Sequence, residues 1–172
     1  AIKYEIFQTV FAQNPNSIAF FYPLLFKKVG KGVSFGKSIT LRHPGRISIG
    51  NDVVIDDYCV LDAKGINNKG IIIEDGVFIG RGNILSCKNG NIILEKNVNL
   101  GFNGEIFSGS NVVIGENTLV AAYVYIIGGG HDYKRIDIPI SEQDKPSYGI
   151  NVEKNCWIGA GAKIFDGVNI GE

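Results

Sequence analysis

The sequence has no methionine, one tryptophan, two histidines and three cysteines in 172 residues, and its 17 Lys and Arg balance 17 Asp and Glu. Each shortage excludes something. A formal net charge of zero supplies no basic field for nucleic acid and no acidic tail. Three cysteines do not make a disulfide framework, which fits a reducing, cytoplasmic compartment. Two histidines are too few for an open zinc site with three His ligands. No apolar run approaches the ~20 residues that cross a bilayer, and no signal-peptide cleavage pattern precedes the longest one. The chain lacks an initiator methionine and stops at Gly171-Glu172 inside a repeat copy, so it reads as a trimmed or partial chain.

What the sequence has in plenty is apolar residues, 45%, and 23 glycines, and both are ordered by a repeat six residues long. It runs I-G-N-D-V-V from Ile49 and I-D-D-Y-C-V from Ile55, continues into Leu61, and returns at Ile73 and Ile79. Later copies begin at Leu94, Leu100, Ile114, Val120, Val152, Ile158, Ile164 and Ile170. Four residues after the aliphatic position comes a smaller one: Val53, Cys59, Val77, Val98, Thr118, Val124, Cys156, Ala162 and Val168. Gly, Asp, Glu or Ala follows the aliphatic residue in most copies, among them Gly50, Asp56, Gly80 and Gly115. A strand that turns every sixth residue needs an aliphatic plug inside and a small or turn-tolerant residue at the bend. Three such strands close one triangular coil, and stacked coils bury the plugs in a column. An ordinary sandwich of short alternating strands does not account for so strict a period. In this register Cys59 and Cys156 face inward as small hydrophobes, whereas Cys87, after Leu85-Ser86, is expected to point outward as a free thiol.

The pattern resembles the hexapeptide-repeat acyltransferases over about residues 33–172. The resemblance implies an all-β fold, a left-handed parallel β-helix of hexapeptide repeats. The left hand comes from the resemblance, since general crossover rules favour the right. Residues 1–32 form a non-repeat segment, expected to be partly helical: Asn14-Pro15-Asn16-Ser17 is a turn or helix-start signal. The apolar stretch that follows, IAFFYPLLFKK, is expected to pack on the first coil or a neighbouring subunit. Peripheral membrane contact is the alternative. Val33 to Leu41 reads as a first, irregular coil, and His43, between Arg42 and Pro44-Gly45, reads as a surface turn residue without a catalytic role.

Short insertions at Gly65–Gly70, Lys88–Asn91 and Ser108–Asn111 space the copies at 24, 21 and 20 residues, so each coil closes at near 18 with small loops at one corner. One interruption is much longer. The repeat stops after Ile126 and resumes at Val152, with an extended loop over 127–151. Long loops leaving a rigid scaffold are where function concentrates. Gly128-Gly129-Gly130 frees the backbone to leave the coil, and His131 follows.

Here the likeness is to the sugar and xenobiotic acetyltransferase branch of the family. In that branch a His opens an extended loop, a Pro-Ile pair follows, and the repeat resumes with Trp-Ile-Gly. This chain has His131, Pro139-Ile140 and Trp157-Ile158-Gly159. The resemblance implies that His131 is the catalytic base of an acetyl-CoA-dependent O-acetyltransferase acting on a sugar hydroxyl, as in surface polysaccharide biosynthesis. Moving an acyl group to an alcohol requires taking the alcohol's proton as the bond forms, and imidazole titrates in the right range. The resemblance also implies that Trp157, Gly159 and Ala160 line the pantetheine groove. Asn103, Asp132, Tyr133 and Arg135 are candidate acceptor contacts. Counting back from His131 without gaps puts Gly101, not Asn103, at the family's Asn position, a departure from the pattern. Family members are typically homotrimers with sites between subunits, and a homotrimer is expected here.

Other readings compete with this one. An N-acyltransferase acting on an amino sugar differs only in the acceptor atom, and no residue decides between them. A catalytically inactive β-helix scaffold or binding protein would show a regular ladder without the His131 interruption. The metal-dependent carbonic anhydrase on the same coil needs three His, and no metal is expected. The Gly-x-Gly at Gly159 opens no helix, which a nucleotide-binding motif requires.

Overall fold

The computed structural model describes residues 24–171. The expectations for Asn14–Ser17 and for most of the apolar stretch, its helix and its membrane contact included, fall outside those residues.

Among the described residues nineteen short strands assemble into three parallel sheets that wrap one core. The first sheet contains β1 (Lys28–Val29), β4 (Ile47–Ile49), β7 (Ile71–Ile73), β10 (Ile92–Leu94), β13 (Val112–Ile114), β16 (Ile150–Val152) and β19 (Asn169–Ile170). The second contains β2 (Ser34–Phe35), β5 (Val54–Ile55), β8 (Phe78–Ile79), β11 (Asn99–Leu100), β14 (Leu119–Val120) and β17 (Trp157–Ile158). The third contains β3 (Thr40–Arg42), β6 (Val60–Asp62), β9 (Ile84–Cys87), β12 (Glu105–Ser108), β15 (Tyr125–Gly128) and β18 (Lys163–Phe165). Each strand pairs with the strand one coil away, so the chain is a parallel β-helix, and β1 already pairs with β4 through Lys28–Ser48 and Val29–Ile49.

Register explains the core. Ile49, Ile73, Leu94, Ile114 and Val152 stack in one column of the first sheet. Ile55, Ile79, Leu100, Val120 and Ile158 do so in the second. All ten are buried. The smaller inward residues Val53, Cys59, Val77, Val98 and Thr118 are buried with them. Val168 departs from the pattern at 38% exposed, on the last described coil. Phe26 stacks on Phe35 at 5.6 Å between ring centroids and extends the column at the other end.

The bends account for the period of six. At the corner between the first and second sheets Asp52, Gly76, Asn97, Asn117 and Asn155 have positive φ, and at the next corner Tyr58, Gly82, Asn103 and Tyr123 do. Asn and Asp tolerate this left-handed geometry better than most side chains, and glycine is free in it. At Gly115 the demand is different: a Cβ there would lie 2.5 Å from the Glu153 carbonyl carbon and the Lys154 nitrogen of the next coil.

Cys87 overturns one expectation. It is fully buried, not outward. Strands β9, β12 and β15 are four residues long, and Cys87, Ser108 and Gly128 stack as a second inward column. In the coils of β9, β12 and β15 the third sheet therefore takes two inward residues where the repeat shows one, whereas β3 and β18 each bury a single residue.

Candidate functional site

Every insertion noted above leaves from the corner between the third and first sheets, and so does the long loop, which departs at Gly128 and returns at Ile150. Gly128 sits against the preceding coil, where a Cβ would come 2.6 Å from Ser110 Oγ, and Gly129 adopts φ 90°. Two of the three glycines are thus required, one for close approach and one for its backbone angle.

The loop folds back on itself. Gly130 N–H donates to the Pro146 carbonyl (3.2 Å) and Asp132 N–H to the Asp144 carbonyl (2.8 Å). Arg135 N–H donates to Gln143 Oε1 (3.1 Å), while Gln143 Nε2 donates to the carbonyls of Arg135 (2.7 Å) and Ile138 (3.3 Å). Gln143 is buried and serves as the hub of the loop. At the root, Asp166 accepts from Tyr148 N–H (2.7 Å) and Gly149 N–H (2.9 Å). Partial burial raises the Asp166 carboxyl, but hydrogen bonds from Ser110 and the amides of Tyr148, Gly129 and Gly149 outweigh it and hold the pKa below its ordinary value.

Between this loop and the preceding coils lies a cleft of about 470 Å³. His131 lines it, with Gly128–Gly130 behind, Phe107 and Ile127 as an apolar floor, and Lys88, Asn89, Lys145 and Ser147 around the rim. The His131 side chain is exposed, and no described residue hydrogen-bonds its ring. An accessible imidazole over an apolar floor, able to use either nitrogen, has what a general base needs.

The other sequence-derived candidates lie elsewhere. Asp132 turns its carboxylate onto the amides of Tyr133 (2.7 Å) and Lys134 (3.1 Å), and Arg135 pairs with Asp137 beside it. Tyr133 projects into solvent. None of these three lines the cleft. Asn103 occupies a left-handed bend between the second and third sheets with its Oδ1 over Gly82. Trp157 stands on the second sheet, 77% exposed, and Gly159 and Ala160 follow it on that edge. Within one chain this set and His131 occupy different corners. His43 Nδ1 lies 3.0 Å from Asp62 Oδ1 in its turn, away from the cleft.

Sequence reasoning missed the lining residues Phe107, Lys88 and Lys145. The signal for Lys88 was present, since its insertion leaves from the same corner as the long loop. Among the described residues no group of three or more His, Cys, Asp or Glu side chains is placed to hold a metal ion, and no helix is long and apolar enough to cross a membrane.

No family model and no curated protein matches the sequence. Solved structures do match. A mutant of AntD, an N-acyltransferase from Bacillus cereus in complex with dTDP-4-amino-4,6-dideoxyglucose and coenzyme A, aligns at TM-score 0.57 and 21% identity over 89% of this chain and 71% of that one. AntD with dTDP and 3-hydroxybutyryl-CoA aligns at TM-score 0.53 and 21% identity over 89% and 70%. The polysialic acid O-acetyltransferase OatWY aligns at TM-score 0.56 and 18% identity over 84% and 70%. These likenesses are of fold, and they supply the hand: the chain is a left-handed parallel β-helix of the kind seen in the hexapeptide-repeat acyltransferases that its repeat resembles.

Proposed function

We propose that this protein is an acyl-CoA-dependent O-acetyltransferase that moves the acetyl group of acetyl-CoA to a sugar hydroxyl, with His131 as general base. The observation that carries this reading is the placement of His131 in an open cleft, at the root of the long loop, on a fold shared with acyltransferases that bind coenzyme A. As the hydroxyl oxygen attacks the thioester carbonyl, the imidazole takes its proton. The tetrahedral intermediate collapses, the carbon–sulfur bond breaks, and the imidazolium returns the proton to the departing thiolate. The amides of Gly129 and Gly130 already serve Asp166 and Pro146, so oxyanion donors in this reading come from other amides on the coil edge.

The working form in this reading is a homotrimer in the cytoplasm, where acetyl-CoA is made. Asn103, Trp157, Gly159 and Ala160 of one copy then face the His131 cleft of the next. Their separation from His131 within a single chain supports this, as do the exposed apolar side chains Tyr58, Leu119, Tyr123 and Trp157 along the same edge. Product assignment to surface polysaccharide building follows from the resemblance alone.

An amine acceptor is the second reading, favoured by the amino-sugar nucleotide bound in the AntD complex. One experiment tests both. Thiol release from acetyl-CoA is followed over a panel of sugars, amino sugars and nucleotide sugars, for wild type and His131→Ala. Acceptor-dependent release that drops by about 10²–10⁴ in the variant is the expected result. Mild alkali then cleaves an ester product and spares an amide. A variant as active as wild type removes His131 from the chemistry.

A further inference from the structure

We infer that the His131 cleft takes an anionic acceptor, one whose sugar carries a carboxylate or a phosphate. The inference rests on the acyl-transfer reading above and names the substrate class of the same site. Two exposed lysines line the cleft from independent parts of the fold. Lys88 comes from the short loop after β9, and Lys145 from the returning limb of the long loop, just before the Pro146 carbonyl that receives Gly130 N–H. Neither is paired: among the described residues no carboxylate lies within ion-pairing distance of either.

The surroundings sharpen the point. No Asp or Glu lines this cleft, although the chain has as many acids as bases. Two shallower clefts on the first sheet show the usual mixture. One holds Glu74 and Asp75 with Lys28 and Lys96, and the other holds three glutamates with Lys154. Neither of those two clefts shows the cationic charge without a counter-charge that the concavity containing the base shows. In a recess over apolar walls such charge raises the local concentration of anions and steers them in.

The phosphates of coenzyme A are the competing source of negative charge. They sit a full pantetheine arm from the thioester sulfur, so a phosphate held beside His131 carries the thioester away from it. The group that belongs in the cleft with the base is the acceptor. Lysine meets an anion as a point charge rather than through a fixed fork, so carboxylate and phosphate are both admissible.

The two histidines make a direct test possible, since His43 lies outside the cleft and serves as an internal control. Imidazole NMR signals, assigned with a His43→Gln variant, are followed while glucuronic acid, glucose 1-phosphate, inorganic phosphate or neutral glucose is added to the full chain without acyl donor. The expected result is saturable movement of the His131 signals with one or more of the anions, little with glucose, and none at His43. The response weakens several-fold in Lys88→Ala and in Lys145→Ala, vanishes in the double variant, and fades with added salt. Glucuronic acid against glucose 1-phosphate separates carboxylate from phosphate. The inference is overturned if glucose binds as well as the anions, if no anion moves His131, or if the double variant responds like wild type. It is also overturned if the double variant raises the KM for acetyl-CoA while leaving the anion response intact. Because the signals report binding without turnover, an anion response in a protein that transfers no acetyl group would sink the acyl-transfer reading and leave the anion site standing.

Discussion

Ser110 and Asp166, 56 residues apart in sequence, meet at the root of the long loop, where the serine hydroxyl donates to Asp166 Oδ1 at 2.5 Å. Ser110 belongs to the corner before the loop and Asp166 to the corner after it. Because the loop swings out, those two corners touch. The same carboxylate accepts Tyr148 and Gly149 N–H, so it fixes the limb that returns from His131. Replacing Asp166 by alanine removes these bonds together. Hydrogen exchange at Tyr148 and Gly149 should speed up, and the protein should lose about 1–3 kcal/mol of stability. Asp166→Asn keeps an acceptor and should fall between. Unchanged exchange in the alanine variant contradicts the anchoring role.

The Asp166 anchor also predicts a pH dependence. Burial acts to raise its pKa, but its donors prevail and the folded value lies below the ordinary 3.8. For a carboxyl depressed in the folded state, the unfolded chain binds the proton first as pH falls. The stabilisation is therefore complete at neutral pH and is lost as pH drops below about 5 and through the folded pKa. The stability difference between wild type and Asp166→Asn should be flat from pH 7 to 5 and shrink at lower pH. A difference that grows in acid has the wrong sign for this account.

Thiol chemistry gives a third expectation. Burial pushes the Cys59 thiol up to about 11, beyond what nearby backbone hydrogen bonds pull it back, and burial likewise raises Cys87. Cys156 is buried as well. Thiolate is the reactive form, so native protein at pH 8 should resist iodoacetamide while denatured protein takes three labels. Rapid labelling of Cys87 in native protein would restore the outward orientation that its place after Ser86 suggested.

The columns of Ile49 and Ile55 were legible in the sequence because a period of six leaves the same mark whichever way each coil meets its neighbour. The exit corner was legible from the insertions at Gly65, Lys88 and Ser108. The second inward column was not. Cys87, Ser108 and Gly128 share no chemistry, and only the register of β9, β12 and β15 aligns them. The candidate site was legible only as the departure at His131, which three glycines announce. Lys145 was not, because its position depends on hydrogen bonds such as Gly130 to Pro146 that fold the loop back toward the coil. Pairings of that kind carry no periodic signal.

Asn83 was also hidden, and it yields a prediction that runs against the repeat. It occupies the small inward position that holds Cys59 and Val124 in other coils of the third sheet, and it is fully buried. Its Nδ2 donates to the Gly80 carbonyl at 2.6 Å and the Gly101 carbonyl at 2.5 Å, while Oδ1 accepts Gly104 N–H at 3.0 Å. One amide therefore satisfies three backbone groups on two successive coils. Substituting the repeat's usual valine keeps most of the volume but strands the Gly101 carbonyl and the Gly104 N–H and leaves the Gly80 carbonyl only the Cys59 thiol at 3.2 Å, and each buried orphan costs about 1–3 kcal/mol. Asn83→Val should consequently destabilise by about 3 kcal/mol in a denaturant titration, and no less than Asn83→Ala. Ordinary core logic gives the opposite order, because valine leaves the smaller cavity. A valine variant clearly more stable than the alanine variant would mean that packing, not hydrogen bonding, fixes this corner.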